Sequence, residues 1–172
     1  MIRVDVAGLV LDSQEQPVVL LRPLEGAGPR RILPIWIGLQ EATAIMLALD
    51  GATTERPMSY DLMVRLLERL GASVRQVAVT RLEQGTFYAE ITLDSPAGVQ
   101  VIDARPSDSI ALAVRTGAPI LVAQAVLDEA GLPEEASEAA DASAASEPPD
   151  ADAQLDEFTR FLDTVNPDDF RG

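Results

Sequence analysis

The sequence predicts an α+β fold in which helices pack on a largely antiparallel or mixed sheet. Three observations lead to this prediction. Most strand-like segments are joined by short polar turns, the helical segments are amphipathic and end at glycine, and the two halves of the chain follow a similar order of elements. Because hairpins dominate over strand–helix–strand units, a purely parallel sheet is not expected.

The first half of the chain predicts three strands followed by two helices. Apolar residues alternate over residues 2–12, and residues 18–24 follow a polar turn as the hairpin partner. Pro34 lies inside a third strand at 30–38 and favours an edge position or a bulge. Two amphipathic helices, each ended by a glycine, are predicted over residues 39–51 and 60–71, and Ser59 can cap the second.

The second half predicts three strands, a helix, a short strand and a short helix. These elements span residues 73–82, 86–93, 99–104, 107–117, 119–123 and 124–131. The segment AIMLALDGA in the first half is similar to SIALAVRTGA in the second. Together with the order of elements, this likeness suggests that the sheet is built from two similar β-hairpin–strand–helix halves.

The composition excludes several kinds of site. The chain has no cysteine, histidine or lysine, and all 13 of its basic residues are arginine. Disulfides, zinc–thiolate sites, thiol nucleophiles and Ser–His catalysis are therefore impossible. No apolar run approaches the roughly 20 residues of a membrane span, and the first residues enter a strand pattern without a signal-peptide layout. A cytoplasmic protein without membrane contact is expected.

The distribution of charge suggests where the domains end. Residues 1–131 carry 16 acidic residues and 11 arginines, whereas residues 132–172 carry 12 and 2. Residues 132–152 consist almost entirely of small, acidic and proline residues, so they predict a disordered linker. Residues 153–172 predict a short amphipathic helix and tail. Because a helix of about 12 residues is marginal alone, it is expected to dock on the core or on a partner protein.

Charged and polar residues cluster at the corners between predicted elements in both halves of the chain. These residues are Glu41, Arg56, Asp61, Asp103, Arg105, Ser107 and Asp108. The densest corner is DARPSD, which joins a predicted strand to a predicted helix. One interpretation is structural, because acids near helix N-termini complement the helix dipole and arginines pair with nearby carboxylates. The other interpretation is that these residues converge on a functional site.

Four ordered segments carry a resemblance to a known family. They are LPIWIGLQEATAI, RPMSYDLMVRLLERLGA, GTFYAEITL and IDARPSDSIALAVRTGAPILV. In this order and spacing, residues 1–131 resemble the bifunctional nuclease domain family, and DARPSD is the most specific part. The acidic tail and the arginine-only basic composition resemble actinobacterial members. Where the family usually has histidine, before the aspartate of the second helix, this chain has Tyr60.

The resemblance implies a compact α+β domain that forms a homodimer or higher homo-oligomer and cleaves both RNA and DNA. Without His, Lys or Cys, the economical route to phosphodiester cleavage is a divalent metal, Mg²⁺ or Mn²⁺, bound by carboxylates. The expected catalytic and metal-binding residues are Glu41, Asp61, Asp103 and Asp108. The residues expected to bind substrate phosphate are Arg56, Arg105 and Ser107.

A second hypothesis is a non-catalytic regulatory or protein-binding module of the same fold. The mildly acidic core and the absence of histidine favour it. The two hypotheses differ in geometry. A metal site requires two or more carboxylates within about 5 Å of each other in an open cleft, without an arginine matched to each. A structural network has one buried acid for each arginine.

Overall fold

The structure, a computed structural model, describes residues 1–24, 31–52 and 54–133. The helix predicted within residues 153–172 lies outside the described residues. So does the predicted linker, except for its first two residues, Leu132 and Pro133. None of the helices in the described part has the length and apolarity that a membrane crossing requires.

Eight strands and four helices follow one another in the described residues. The strands are β1 (Ile2–Leu11), β2 (Pro17–Pro23), β3 (Arg31–Trp36), β4 (Ser73–Glu83), β5 (Thr86–Ser95), β6 (Gly98–Ala104), β7 (Ile120–Val122) and β8 (Leu132–Pro133). The helices are α1 (Leu39–Leu49), α2 (Ser59–Arg69), α3 (Pro106–Thr116) and α4 (Gln124–Ala130). Every predicted element of residues 1–131 is present, and β8 is an addition.

The strands form one mixed sheet in the order β6-β5-β4-β7-β1-β2-β3-β8. Strand β7 lies inside the sheet, where it pairs antiparallel with β1 and parallel with β4. The other neighbouring strands pair antiparallel. The meanders β1–β2–β3 and β4–β5–β6 therefore extend from β7 to opposite sides. This mostly antiparallel sheet, with helices packed on it, confirms the predicted α+β class.

The main core lies between the sheet and its helices, with α3 at the centre. Residues 110–113 of α3 are all buried, as is Ile45 of α1. They form one apolar cluster with buried residues of the strands. Helix α3 ends at Gly117, whose φ of 69° lies in the left-handed region that favours glycine. The packing and this stop fix the position of α3, and with it the DARPSD corner at its N-terminus.

The pairing of β3 explains why this apolar strand can contain a proline. It pairs with β2 along residues 33–36, but with β8 only at Arg31 and Ile32. Pro34 has no N–H to donate, and it lies where β3 has a strand neighbour on one side only, as predicted. The strand ends at Trp36, which is exposed.

Helix α2 packs differently from its prediction. Most of its predicted apolar stripe is exposed, at Leu62, Met63, Leu66 and Leu70. The helix contacts the main core through Tyr60, Val64 and Leu67 instead, and none of its residues is fully buried. Self-association, which would cover such an exposed apolar surface, stays a prediction.

Candidate functional site

Helices α1, α2 and α3 each carry an acid at the third helical position. These acids are Glu41, Asp61 and Asp108, and the N-cap residues before the helices are Gly38, Met58 and Arg105. A carboxylate at this position complements the helix dipole and can accept a hydrogen bond from the backbone of the N-cap residue. The hydrogen bonds of each acid decide whether capping explains it.

Asp61 is explained by local structure. The Met58 backbone N–H donates to Asp61 Oδ2 at 3.0 Å, and Arg115 Nε donates to Asp61 Oδ1 at 2.7 Å. The hydrogen bond from Arg115, followed by that from the Met58 amide, lowers the pKa of Asp61 below its ordinary value. Because each oxygen has its own donor, Asp61 caps α2 and ties it to α3.

Glu41 and Asp108 share one arginine. Arg105 Nη2 donates to Glu41 Oε1 at 2.8 Å and to Asp108 Oδ1 at 3.0 Å, while Arg105 Nε donates to Asp108 Oδ2 at 2.7 Å. Asp108 first, and then Glu41, raise the pKa of Arg105, which therefore stays cationic. Among the described residues, neither acid accepts a hydrogen bond from its own N-cap amide, so capping does not explain this Glu41–Arg105–Asp108 cluster.

Tyr60 of α2 contacts this cluster. Its hydroxyl donates to Asp108 Oδ1 at 2.7 Å. Burial, followed by the hydrogen bond to Asp108, raises the pKa of Tyr60 well above its ordinary value. Tyr60 is therefore a protonated donor at neutral pH and not a base.

The carboxyl of Asp108 is ionised despite being partly buried. Burial alone would raise the pKa of Asp108, but the hydrogen bonds from Arg105 and Tyr60 outweigh it. Together they hold the pKa below its ordinary value. Asp108 therefore serves as a fixed negative charge that orients Arg105.

Arg115 connects Asp61 to the cluster. Its guanidinium carbon lies 5.3 Å from the centroid of the Tyr60 ring, within the range of a cation–π contact. Its side chain is only 9% exposed. Arg115 was not among the predicted site residues, although it follows Asp108 by two helical turns and so lies on the same face of α3. That spacing was a signal that could have found it.

The carboxylate of Glu41 lies directly over Gly38. A Cβ atom at position 38 would collide with Glu41 Oε2. The backbone of Gly38, at φ −75° and ψ 156°, is one that any residue adopts. A side chain at position 38 would therefore have to displace the end of the Glu41 side chain, although the backbone there would accept any residue. Glu41 Oε2 accepts no hydrogen bond from the described residues, which leaves it available to a ligand or water.

A groove of about 600 Å³ begins beside this cluster. Its walls come from the β1–β2 turn, the end of β3, the β4–β5 turn and the start of α3. Arg105 and Gly38 both belong to its lining, so the groove adjoins the Glu41–Arg105–Asp108 cluster. Ser107, which was predicted to bind phosphate, also lines it.

Two predicted site residues lie outside the cluster. Asp103 is exposed on β6, opposite Glu90 of β5, and its carboxylate has no partner among the described residues. Arg56 is exposed in the loop before α2. Neither of them contacts Glu41 or Arg105 through a hydrogen bond or ion pair in the described structure.

The four predicted metal ligands are not brought together. In the described part of the chain, no three acidic side chains are arranged so that they could hold a metal ion. Asp61 is engaged by Arg115, and Asp103 lies on the edge strand β6. Glu41 and Asp108 are the two predicted ligands that share a site.

Replacing Tyr60 by phenylalanine is expected to remove the tyrosine whose hydroxyl ionises at unusually high pH. The chain has two tyrosines, and the raised pKa of Tyr60 predicts that its phenolate absorbance appears above the pH at which free tyrosine ionises. Because the folded-state pKa is raised, the stability that Tyr60 contributes is fully present below a pH of about 10 and is lost as the pH rises through the folded pKa. A spectrophotometric pH titration measures this.

The second tyrosine provides the matched control for that titration. Tyr88→Phe is expected to keep the late transition, because Tyr88 lies outside the cluster. A late transition that survives in Tyr60→Phe would contradict the assignment. At neutral pH, Tyr60→Phe also removes a hydrogen bond to a charged group, which is expected to lower the free energy of unfolding by about 1.5 kcal/mol.

The sequence model described as "Bifunctional nuclease domain" matches residues 19–135 of this chain. The match includes every residue of the Glu41–Arg105–Asp108 cluster, and also Tyr60 and Arg115. This chain belongs to the bifunctional nuclease domain family. The resemblance carried by the four sequence segments is thereby confirmed.

Relatives of this chain in the bifunctional nuclease domain family come from bacteria and plants. "Uncharacterized protein Rv1829" of Mycobacterium tuberculosis (strain ATCC 25618 / H37Rv) is 43% identical over 171 residues, which cover 98% of this chain and 97% of that protein. "Bifunctional nuclease 1" of Arabidopsis thaliana is 29% identical over 118 residues, 67% of this chain and 36% of the plant protein. "Bifunctional nuclease 2" of Oryza sativa subsp. japonica is 30% identical over 115 residues, which cover 64% of this chain and 34% of the rice protein. The chain thus spans about a third of these plant relatives.

Proposed function

We propose that this chain is a nuclease that hydrolyses phosphodiester bonds of RNA or DNA at the Glu41–Arg105–Asp108 cluster. Its family and the names of its plant relatives support this activity. The observation that carries the proposal is that two carboxylates from different helices share one exposed arginine beside a groove. In the Asp61–Arg115 and Asp94–Arg75 ion pairs, by contrast, one arginine serves each acid.

Arg105 is suited to hold the phosphate of a substrate. Its Nε and Nη2 donate to the two carboxylates, whereas Nη1 has no partner among the described residues. The side chain is 65% exposed. Nη1 can therefore donate to a non-bridging phosphate oxygen while the carboxylates hold the guanidinium in place. A donor fixed in this way stabilises the charge that develops in the transition state of phosphoryl transfer.

Glu41 is suited to act as the general base. Oε1 accepts from Arg105, which leaves Oε2 as the oxygen that can take a proton from water. The side chain is only 16% exposed, so the carboxylate is held close to Arg105. A base within hydrogen-bond reach of water beside a bound phosphate meets the geometric condition for hydrolysis.

The expected Mg²⁺ or Mn²⁺ ion remains part of this proposal. It would be held by fewer protein ligands than the four carboxylates that the sequence predicted. Magnesium in phosphoryl-transfer sites is held by one or two carboxylates together with waters and the phosphates of the substrate. Glu41 would hold such an ion through its free Oε2, because both oxygens of Asp108 already accept hydrogen bonds from Arg105 and Tyr60. When bound, the ion would activate water and offset phosphate charge. In this form of the proposal Glu41 binds the ion in place of acting as the base, and Asp61 and Asp103 are not required.

Cleavage of labelled single-stranded RNA and DNA by highly purified protein tests this function. We expect cleavage with Mg²⁺ or Mn²⁺ and loss of cleavage in excess chelator. The double variant Glu41→Gln/Asp108→Asn distinguishes this activity from a contaminant, since activity that copurifies unchanged with the variant would come from another protein. Full activity in chelator would overturn the metal-dependent form of the proposal.

A non-catalytic binding module is the second candidate. The Asp61–Arg115 pair favours it, because one acid is matched to one nearly buried arginine, as in a structural network. Binding of nucleic acid or protein by the purified chain, without cleavage under any metal condition, would support this candidate over the nuclease.

A further inference from the structure

We propose that the groove beside Arg105 binds one nucleotide of a single-stranded nucleic acid, with its base stacked on Trp36 and its phosphate at Arg105 and Ser107. This inference deepens the proposed function and rests on it for the class of ligand. It adds a site for the base, which the cluster alone does not provide. It also restricts the substrate to strands whose bases are unpaired.

Trp36 is an exposed aromatic ring held in a fixed orientation. It is 54% exposed at the end of β3 and lines the groove. Its Nε1–H donates to Asp12 Oδ2 at 2.9 Å, and Asp12 Oδ1 accepts from the backbone N–H groups of Gln14 and Gln16 at 2.8 and 2.9 Å. The β1–β2 turn therefore holds the indole in place. A ring fixed before binding loses little conformational entropy when a ligand stacks on it.

A further part of the groove lining is also suited to a flat ligand. It comes from the β4–β5 turn, where Gly85 carries no side chain, and from the start of β5, where Phe87 is half-buried. Aromatic residues beside a cationic residue are typical of grooves that bind single-stranded nucleic acid. Because every base has a π face, such stacking tolerates any sequence.

The other end of the groove is suited to an anion. The N-terminus of α3 has no side-chain cap, and its first turn lines the groove. Ser107 is only 7% exposed, lines the groove, and has no hydrogen-bond partner for its hydroxyl among the described residues. Ser107 is nearly buried as a residue while its hydroxyl stays accessible from the groove. A hydroxyl without a partner, at a helix N-terminus and beside Arg105, indicates a ligand that accepts hydrogen bonds. A phosphate does so, and the helix dipole favours its charge.

The size and charge of the chain favour a single strand over a duplex. The groove volume of about 600 Å³ lies in the range of small-ligand pockets, roughly 300–1,000 Å³. In a duplex the faces of the bases are stacked and cannot lie on Trp36. Residues 1–131 carry 16 acidic residues and 11 arginines, an acidic balance that does not favour binding of a duplex backbone. Binding is therefore expected to depend on stacking and on very few phosphate contacts.

The single tryptophan of the chain makes this site directly observable. Trp36 is the one tryptophan in the sequence, so any quenching of indole fluorescence reports on this groove. Short single-stranded oligo(dT) is titrated in the presence of chelator, which prevents the proposed cleavage. We expect saturable quenching, with a log–log slope of affinity against salt of about −0.7, the value for one contacted phosphate on a single strand.

Two comparison ligands distinguish the possible sources of a nucleotide. A blunt dA·dT duplex is expected to quench much less than the oligonucleotide at equal nucleotide concentration, whereas free thymidine 5′-monophosphate, which offers the same base and a phosphate, is expected to quench comparably. No quenching by the mononucleotide would overturn the one-nucleotide site, since it carries both groups that the site is proposed to hold. Equal quenching by the duplex would overturn the requirement for unpaired bases.

A variant measured by an independent signal completes the test. Trp36→Leu is expected to weaken binding of fluorescently labelled oligo(dT), measured by anisotropy, by about tenfold. Leu66→Ala, an exposed apolar residue of α2 outside the groove, is the matched control and is expected to bind normally. Unchanged binding by Trp36→Leu, or no quenching of the wild type, would overturn the inference even if cleavage is observed. Binding as expected without any cleavage would instead remove the proposed nuclease and leave the binding site standing.

Discussion

Replacing Glu41 by glutamine is expected to lower the rate of phosphodiester cleavage by about 10²- to 10⁴-fold, the contribution of a positioned general base. Glutamine keeps the length of the side chain and an oxygen that accepts from Arg105. It removes the charge and the second carboxylate oxygen, which the proposal assigns to water or a metal ion. The change therefore affects the chemistry more than the packing. Initial rates at saturating metal concentration measure it.

Asp103→Asn is the matched control for this experiment. It makes the same kind of substitution at an acid that was also predicted to be catalytic, but that lies exposed on β6 without a partner among the described residues. It is expected to retain the wild-type rate. Unfolding curves of both variants should match the wild type within about 1 kcal/mol. A loss of activity in Asp103→Asn equal to that in Glu41→Gln would contradict the assignment of the site to the Glu41–Arg105–Asp108 cluster.

Replacing Arg115 by methionine is expected to lower the free energy of unfolding by about 2–3 kcal/mol at neutral pH. Breaking a buried ion pair costs about 3–5 kcal/mol, and the effect is smaller here because Asp61 remains partly exposed to water. Methionine retains the apolar stem but leaves Asp61 Oδ1 without its donor and the Tyr60 ring without its cation. Helix α2 has no fully buried residue, so these contacts matter to its attachment. Denaturant unfolding measures the loss, and hydrogen exchange should accelerate in α2 before β4.

The pH dependence separates the charge of Arg115 from its packing. The pKa of Asp61 is lowered in the folded protein, chiefly by Arg115. Its contribution is therefore present above the unfolded pKa of about 3.9 and is lost as the pH falls through the folded pKa. The difference between wild type and Arg115→Met should accordingly shrink in acid. Arg65→Met, on the exposed face of α2, is the control and should have little effect. A difference that is constant with pH would mean that packing alone is responsible.

The strands and helices of residues 1–131 were predictable because each follows a period that burial imposes. Pro34 favoured an edge position or a bulge, and β3 has a strand neighbour on one side only at that residue. What periodicity could not predict was the depth of packing. The stripe of α2 has the same spacing as a core stripe, yet Leu66 and Leu70 are exposed because the helix rests on Tyr60, Val64 and Leu67. Likewise, Leu132 pairs with Ile32 as β8, a contact between residues distant in sequence that composition cannot indicate.

The candidate site was predicted where local sequence determines position, and missed where tertiary contacts do. Glu41 and Asp108 follow from their place in the first turn of a helix. Asp103 was grouped with Arg105 because alternate residues of a strand share a face. The strand ends at Ala104, however, and Arg105 is already the N-cap of α3, so that rule no longer applies. Arg56 lies in a loop that has no period at all.

The space above Gly38 has a consequence for how sequences of this family vary. Any side chain at position 38 would displace the Glu41 carboxylate, so a substitution at this position is expected to disturb the Glu41–Arg105–Asp108 cluster. Family members that replace this glycine are expected to carry a different or shorter residue at the position of Glu41, and with it a changed or lost chemistry. The spacing G-x-x-E at the start of the first helix is therefore a marker that can sort family sequences into those that retain this cluster and those that do not. For protein engineering, position 38 permits a stabilising alanine by its backbone angles, yet it belongs among the positions to leave untouched.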